Sequence, residues 1–93
     1  MSTPLHMNVD ACNQAQVKLD QFVEELKTNL NTQKSAMDGL VGTDWMAPAA
    51  TQFKSEYDQI NQNMTQLLDQ FTQLSQTFKN EITQWVDTGG TLG

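Results

Sequence analysis

The sequence predicts an all-α fold, in which an antiparallel hairpin of two long helices dimerises into a four-helix bundle. Two long stretches repeat apolar residues with a period of 3.5, and a short segment with Gly42 and Pro48 separates them. The apolar stripe on each stretch is also wider than one partner helix can cover. A chain of 93 residues has room for one domain, which spans the whole sequence, and its small size favours association.

The first helix is predicted from about residue 4 to residue 39. Thr3 and Pro4 suit an N-cap and a first helical turn, because proline lacks only an amide hydrogen that would be unpaired there. Alternating steps of four and three residues from Leu5 to Leu40 meet apolar residues almost throughout. The interruptions are Gln16 and Gln33, which either set the register of packing or are partly exposed.

The connection is predicted over residues 40–47. Gly39 and Gly42 suit a helix C-cap and a tight reversal, and Thr43 and Asp44 suit capping. The chain is therefore expected to turn back here.

The second helix is predicted from residue 48 to about residue 86, with Pro48 in its first turn. Proline biases the preceding Ala47 toward extended backbone, so Trp45 is expected in the connection, folded onto the end of the hairpin. Trp45 has two compatible interpretations, a hydrophobic plug and a recognition edge for a second protein. Residues 87–93 lack periodicity and are expected to be mobile.

The two predicted helices each span roughly 55 Å, and their short connection makes them antiparallel. Apolar residues such as Phe22 and Leu68 flank the seams, so a partner hairpin is expected to cover what one hairpin leaves exposed. The residues assigned to the hairpin and dimer seam are Leu19, Val23, Leu26, Leu30, Phe53, Tyr57, Ile60, Met64, Leu67, Phe71, Leu74 and Phe78.

Composition excludes several classes of function. The net charge of −6 opposes binding to a nucleic-acid backbone or an anionic lipid surface. No stretch approaches the roughly 20 apolar residues of a membrane-spanning helix, and the start of the chain has no pattern of a cleaved signal peptide. The lone Cys12 cannot form an intramolecular disulfide, so cysteine content does not indicate a compartment.

Enzymatic chemistry has little support in the sequence. The chain has a single histidine, His6, and no nucleophile beside a base in a known signature. His6, Asp10 and Cys12 are close in sequence, but three possible ligands near a chain end indicate a metal site only weakly. We expect no catalytic, cofactor-binding or metal-binding residues.

The chain resembles the WXG100, or ESAT-6-like, family of small type VII secretion substrates. The resemblance rests on length, two helices, Trp45 in the central turn and the segment "APAATQFKSEYDQI", in which small residues precede Phe53 and Tyr57. It implies a secretion and turn motif at Trp45, Met46 and Ala47, with Ala47 in the place of the family's glycine.

A second departure concerns the family's secretion signal, a tyrosine followed four residues later by an acidic residue after the second helix. Tyr57 is followed at that distance by Asn61, and the tail has no tyrosine. This favours escort by a partner that carries the signal, or membership of a divergent subgroup.

The resemblance implies a non-enzymatic protein of a Gram-positive bacterium that is cytoplasmic before export by a signal-peptide-independent route. Implied partners are a second small helical hairpin in a homodimer or heterodimer, the secretion ATPase and a larger toxin. The main alternative is a cytoplasmic targeting chaperone that binds the helical domain of such a toxin. A filament subunit is a further alternative. A membrane-active effector is another, although the neutral-to-acidic polar faces lack the Lys and Arg expected of an interfacial helix.

Overall fold

Two long antiparallel helices account for nearly all of the computed structural model, which describes residues 5–90. The helices are α1 (Val9–Leu40) and α2 (Pro48–Asp87), and a short connection joins them. The molecule measures 64 × 24 × 18 Å, as expected for one elongated hairpin. The predicted all-α hairpin is confirmed, and no strand occurs in the described part of the chain.

Helix α1 begins at Val9, later than the predicted start at residue 4. Asn8 caps the helix, because its side-chain oxygen accepts a hydrogen bond of 3.0 Å from the amide of Ala11. The preceding Leu5 is largely exposed, so packing that would extend the helix is lacking there. The predicted cap at Thr3 and Pro4 lies outside the described residues.

Helix α2 begins as the sequence predicts. Pro48 occupies the first turn, and Ala47 has φ −164° and ψ 158°, an extended conformation. The predicted capping by Thr43 or Asp44 is wrong, because α2 has no side-chain cap and the hydroxyl of Thr43 donates instead to the carbonyl of Gly39 at 2.6 Å.

Helix α2 ends in a Schellman motif over its last residues. The amide of Gly90 donates to the carbonyl of Trp85 at 2.9 Å, and the amide of Gly89 donates to that of Val86 at 3.2 Å. Both glycines have positive φ, and Gly90 lies against the Trp85 ring. The segment Thr88–Gly90 therefore folds back on the helix end, while residues 91–93 of the predicted mobile tail lie outside the described residues.

The most buried part of the contact between the helices lies on a row of α2 that the apolar pattern did not select. We call this the inner row, and it lies one position after the most apolar row of α2. Leu68, Ser75 and Ile82 of the inner row are buried, as are Val23 and Gln16 on α1. The members of the inner row are Lys54, Asn61, Leu68, Ser75 and Ile82.

The predicted seam residues divide between the hairpin interface and the outside. On α1, Val23 is buried, and Leu19, Leu26 and Leu30 are half-buried. On α2 the half-buried residues are Tyr57, Phe71 and Phe78, and the exposed ones are Phe53, Ile60, Met64, Leu67 and Leu74. The exposed residues contribute little to the hairpin, and their place in a dimer seam stays a prediction.

Candidate functional site

An exposed apolar row runs along α2 beside the helix–helix interface. We call it the outer row, and its side chains are 39–57% exposed. A spacing of seven residues keeps its members on one side of the helix. The outer row consists of Phe53, Ile60, Leu67 and Leu74.

The α1 residues on the same side of the hairpin include another exposed aromatic ring. In an antiparallel pair, residues that directly precede the seam positions lie on the same side of both helices. Ile60 precedes Asn61, and Phe22 precedes Val23 in the same way. Phe22 is half exposed, so it joins the outer row in one surface, which we call the apolar face.

The apolar face groups exposed side chains that on most proteins occur singly. Five large apolar side chains lie on one side of a two-helix molecule, whereas isolated exposed residues are usual on any protein. Several large exposed apolar side chains on one side of a helix are typical of a surface that another protein covers. The arrangement therefore favours protein binding over chemistry.

The second candidate site is the connection around Trp45. The amides of Asp44 and Trp45 both donate to the carbonyl of Leu40 at 3.0 Å, and the amide of Gly42 donates to that of Trp45 at 3.0 Å. Gly42 has φ +92°, which other residues rarely adopt. These bonds hold the connection in a compact turn.

The turn aims the Trp45 ring back along α2. Its centroid lies 5.6 Å from that of Phe53, with the planes tilted by 51°, and Phe53 stacks on Tyr57 at 6.3 Å. Trp45 remains 36% exposed and Met46 78% exposed. Because Phe53 belongs to the outer row, the indole is in contact with one end of the apolar face.

An open depression lies beside the exposed edge of the turn. It has a volume of about 530 Å³ and is lined by Trp45, Met46, Ala47 and neighbouring residues. The sequence-predicted motif residues thus share one surface. Ala47 needs no positive φ, so the alanine in the place of glycine is compatible with the turn.

A polar layer joins the helices near the open end of the hairpin, and two of its members, Gln16 and Ser75, are buried. The Gln16 amide donates to Ser75 Oγ at 3.1 Å and to Asp20 Oδ2 at 2.7 Å, and the Ser75 hydroxyl donates to Asp20 Oδ1. The bonds from Ser75 and then Gln16 hold the pKa of Asp20 below its ordinary value, assisted by the charge of Lys79 and opposed by partial desolvation. Gln16 therefore sets a specific contact between the helices, whereas Gln33 is exposed.

An ion cluster joins the helices nearer the turn and consists of Lys34, Asp38, Lys54 and Asp58. Lys54 Nζ lies 2.9 Å from Asp58 and 3.1 Å from Asp38, and Lys34 Nζ lies 3.0 Å from Asp38. Hydrogen bonds from Lys34 and Lys54 lower the pKa of Asp38, and those to Asp58 and Asp38 raise the pKa of Lys54.

The ion cluster lies on the side of the hairpin away from the apolar face. Asp58 is two residues from Ile60, which places it about 160° around α2. Asp58 Oδ1 and Asn61 Oδ1 are buried and accept no hydrogen bond within residues 5–90, although Lys34 Nζ is 3.9 Å from Asp58 Oδ1. The cluster makes the two sides of the hairpin chemically different, one charged and one apolar.

Asp20, Ser75 and Lys54 are contact residues that the sequence did not predict. The four-residue spacing of Lys54 and Asp58 was a visible signal for a helical ion pair. Ser75 gave no such signal, because its partner Gln16 lies 59 residues away along the chain.

The described residues show neither a metal cluster nor a membrane-spanning helix. Over residues 5–90, no group of three or more His, Cys, Asp and Glu side chains is placed to hold a metal ion. No helix in the same range is long and apolar enough to cross a bilayer.

The chain matches a known protein family. A family model described as WXG100, proteins of 100 residues with WXG, matches residues 4–87. No curated protein and no solved structure matches the chain.

Proposed function

The chain belongs to the WXG100 family, and on that premise we propose that it is a small, non-enzymatic type VII secretion substrate or co-secreted partner. WXG100 proteins are small secreted helical proteins that typically pair as dimers. In this proposal the hairpin folds in the cytoplasm, binds a second helical hairpin, and leaves the cell by a route that needs no signal peptide.

The uncovered apolar face is the observation that supports this function best. Phe22 and the outer row expose apolar surface that water solvates unfavourably, and a second amphipathic hairpin would bury it. The chain would thus act by recognition, and its helices would serve as a scaffold for that surface.

The Trp45 turn supplies the second element of the proposal. Trp45 and Met46 stay exposed while hydrogen bonds fix the backbone beneath them, so the turn presents a defined apolar edge. Aromatic side chains held in this way are common binding anchors. We assign this edge to contact with the secretion ATPase, together with the tail of the partner hairpin.

Export dependent on the type VII ATPase tests the proposal. The tagged chain is expressed in a Gram-positive host with an intact system and in the same host lacking the ATPase, and supernatant and lysate are quantified with a cytoplasmic protein as lysis control. We expect the chain in the supernatant of the intact host only. Equal amounts in both supernatants would refute the function.

A cytoplasmic targeting chaperone for a larger toxin is the second candidate. Its basis is that Tyr57, the one tyrosine of the sequence, lies within α2 and is followed four residues later by Asn61 and not by an acidic residue. Retention of the chain in the lysate, in a complex with the helical domain of a co-encoded toxin, would favour this function over export.

A further inference from the structure

Met46 is the most exposed large apolar side chain in the described part of the chain. It is 78% exposed, compared with 41% for Met64, whereas Met7 and Met37 are half-buried. Met64 lies one helical turn after Ile60, so a partner that covers the apolar face would also shield it. Met46 is therefore the methionine that solvent reaches most readily, in the free hairpin and in a paired one.

The backbone on both sides of Met46 is held by hydrogen bonds. The carbonyl of Trp45 accepts from the amide of Gly42 at 3.0 Å, and the carbonyl of Ala47 accepts from the amide of Ala50 at 3.0 Å. The thioether is thus displayed at a fixed edge of the connection. Because most of the side chain is in solvent, a chemical change to it should cost the folded hairpin little.

The depression beside Met46 is apolar. The residues that line it include Val41, Trp45, Ala47 and Pro48, and no residue of this lining carries a charge. A partner side chain that enters the depression would displace water from apolar surface, which favours binding only while that surface stays apolar. The Met46 thioether is a group in this lining that peroxide converts into a polar one.

We propose that Met46 is a redox-sensitive modification site, and that its sulfoxide weakens binding at the Trp45 turn. The thioether sulfur donates an electron pair to one oxygen of hydrogen peroxide, so that an S–O bond forms and the O–O bond breaks. The proton of the attacked oxygen moves to the leaving oxygen, which departs as water. The sulfur is oxidised and the peroxide is reduced, and a methionine sulfoxide reductase reverses the change.

The two parts of this inference have different foundations. Selective oxidation of Met46 follows from its exposure alone. Its consequence for binding rests on the proposed function, which assigns the Trp45 turn to contact with the secretion ATPase. Each part therefore has its own experiment.

Peptide mass mapping after timed exposure to dilute hydrogen peroxide tests the modification site. The full chain is used with Cys12→Ser, which removes the one thiol of the sequence. Met46 is expected to gain its oxygen atom at least several times faster than Met37, and the two rates should converge in urea, where both side chains are exposed. Equal rates in the folded chain, or a preference that persists in urea, would overturn the assignment.

Two substitutions of Met46 test the consequence for binding. Met46→Leu keeps an apolar side chain that peroxide does not oxidise, and Met46→Gln places a polar group where the sulfoxide would lie. ATPase-dependent export of Met46→Leu is expected to match that of the unchanged chain, and export of Met46→Gln to fall at least several-fold. Val17→Gln, at a 50% exposed position on the outside of α1, is the matched control and should be exported normally.

Circular dichroism of all three variants is expected to show unchanged helix content. Equal export of Met46→Leu and Met46→Gln would overturn the consequence for binding and leave the proposed function standing. Absence of export of the unchanged chain would refute the proposed function, whereas the peroxide mapping would still decide whether Met46 is the modification site.

Discussion

Leu67 and Leu68 are adjacent in sequence and lie on different surfaces of α2. Leu68 is 5% exposed and faces α1, whereas Leu67 is 51% exposed on the apolar face. Consecutive helical residues point about 100° apart, so one leucine holds the hairpin together and the next is available to a partner. Leu68 therefore contributes to the stability of the hairpin, and Leu67 is available for association with a partner.

Replacement of each leucine by alanine is expected to have a different consequence. Leu68→Ala leaves a cavity between the helices and lowers the free energy of unfolding by about 2–4 kcal/mol at every protein concentration. Leu67→Ala leaves a dilute hairpin nearly unchanged, but weakens the dependence of Tm on protein concentration that a dimer shows. Urea and thermal unfolding over a hundredfold range of concentration measure both effects. Equal losses from the two variants at low concentration would contradict this division.

The sequence predicted the helices and the turn because their signals are local. Pro48, the glycines before it and the heptad spacing each act within a few residues. The predicted start of α1 at about residue 4 was wrong, because Asn8 caps the helix and α1 begins at Val9. The apolar spacing continues back to Leu5, before this cap, so the spacing alone does not locate the helix start.

The choice of seam on α2 depends on contacts between distant residues. The inner row and the outer row have the same heptad spacing. The outer row is the more apolar of the two, so the sequence predicted it as part of the seam. Ser75 and Lys54 appear in sequence as surface residues, but α1 supplies Gln16 and Asp38 as partners for them. Only the packed hairpin shows that a polar inner row is compatible with burial.

Alanine substitutions of Gly39, in the last turn of α1, and Gly42, in the connection, are expected to change the stability of the hairpin in opposite directions. Gly42 has φ +92°, so Gly42→Ala is expected to destabilise the hairpin by about 1–2 kcal/mol through backbone strain. Gly39 lies within α1, and Gly39→Ala is expected to stabilise by about 0.5 kcal/mol through helix propensity. A Cβ at either position meets no atom within 4 Å, so side-chain clashes do not enter. Urea unfolding measures both changes, and a shift of the same sign would contradict the assignment.

The hydrogen bonds to Asp20 in the polar layer are expected to make the free energy of unfolding decrease in acid. The pKa of Asp20 is lower in the folded chain than its ordinary value, so the folded state binds fewer protons than the unfolded state between the two pKa values. The associated stability is fully present above about pH 4 and is lost as the pH falls through the lower, folded value. The urea midpoint is therefore expected to decline below about pH 4.

Ser75→Ala tests the origin of that decline. Loss of the hydroxyl removes the main hydrogen bond that lowers the pKa of Asp20, so the acid decline should become shallower. The same variant is expected to lose about 1 kcal/mol at neutral pH, because Ser75 is buried. Ser55→Ala, an exposed serine on the same helix, serves as the control. An unchanged acid slope in Ser75→Ala would place the pH dependence elsewhere.

Replacement of Trp45 by alanine is expected to abolish export and to leave the helix content nearly unchanged. Trp45→Ala removes the contact with Phe53 and the exposed indole, yet the turn hydrogen bonds around it are made by the backbone. The helical circular dichroism signal should therefore stay nearly unchanged while ATPase-dependent export is abolished. Val17→Ala, which removes exposed apolar surface from the outside of α1, should be exported normally. A large loss of helicity in Trp45→Ala would instead identify the indole as a plug for the end of the hairpin, because only a structural contact makes folding depend on it.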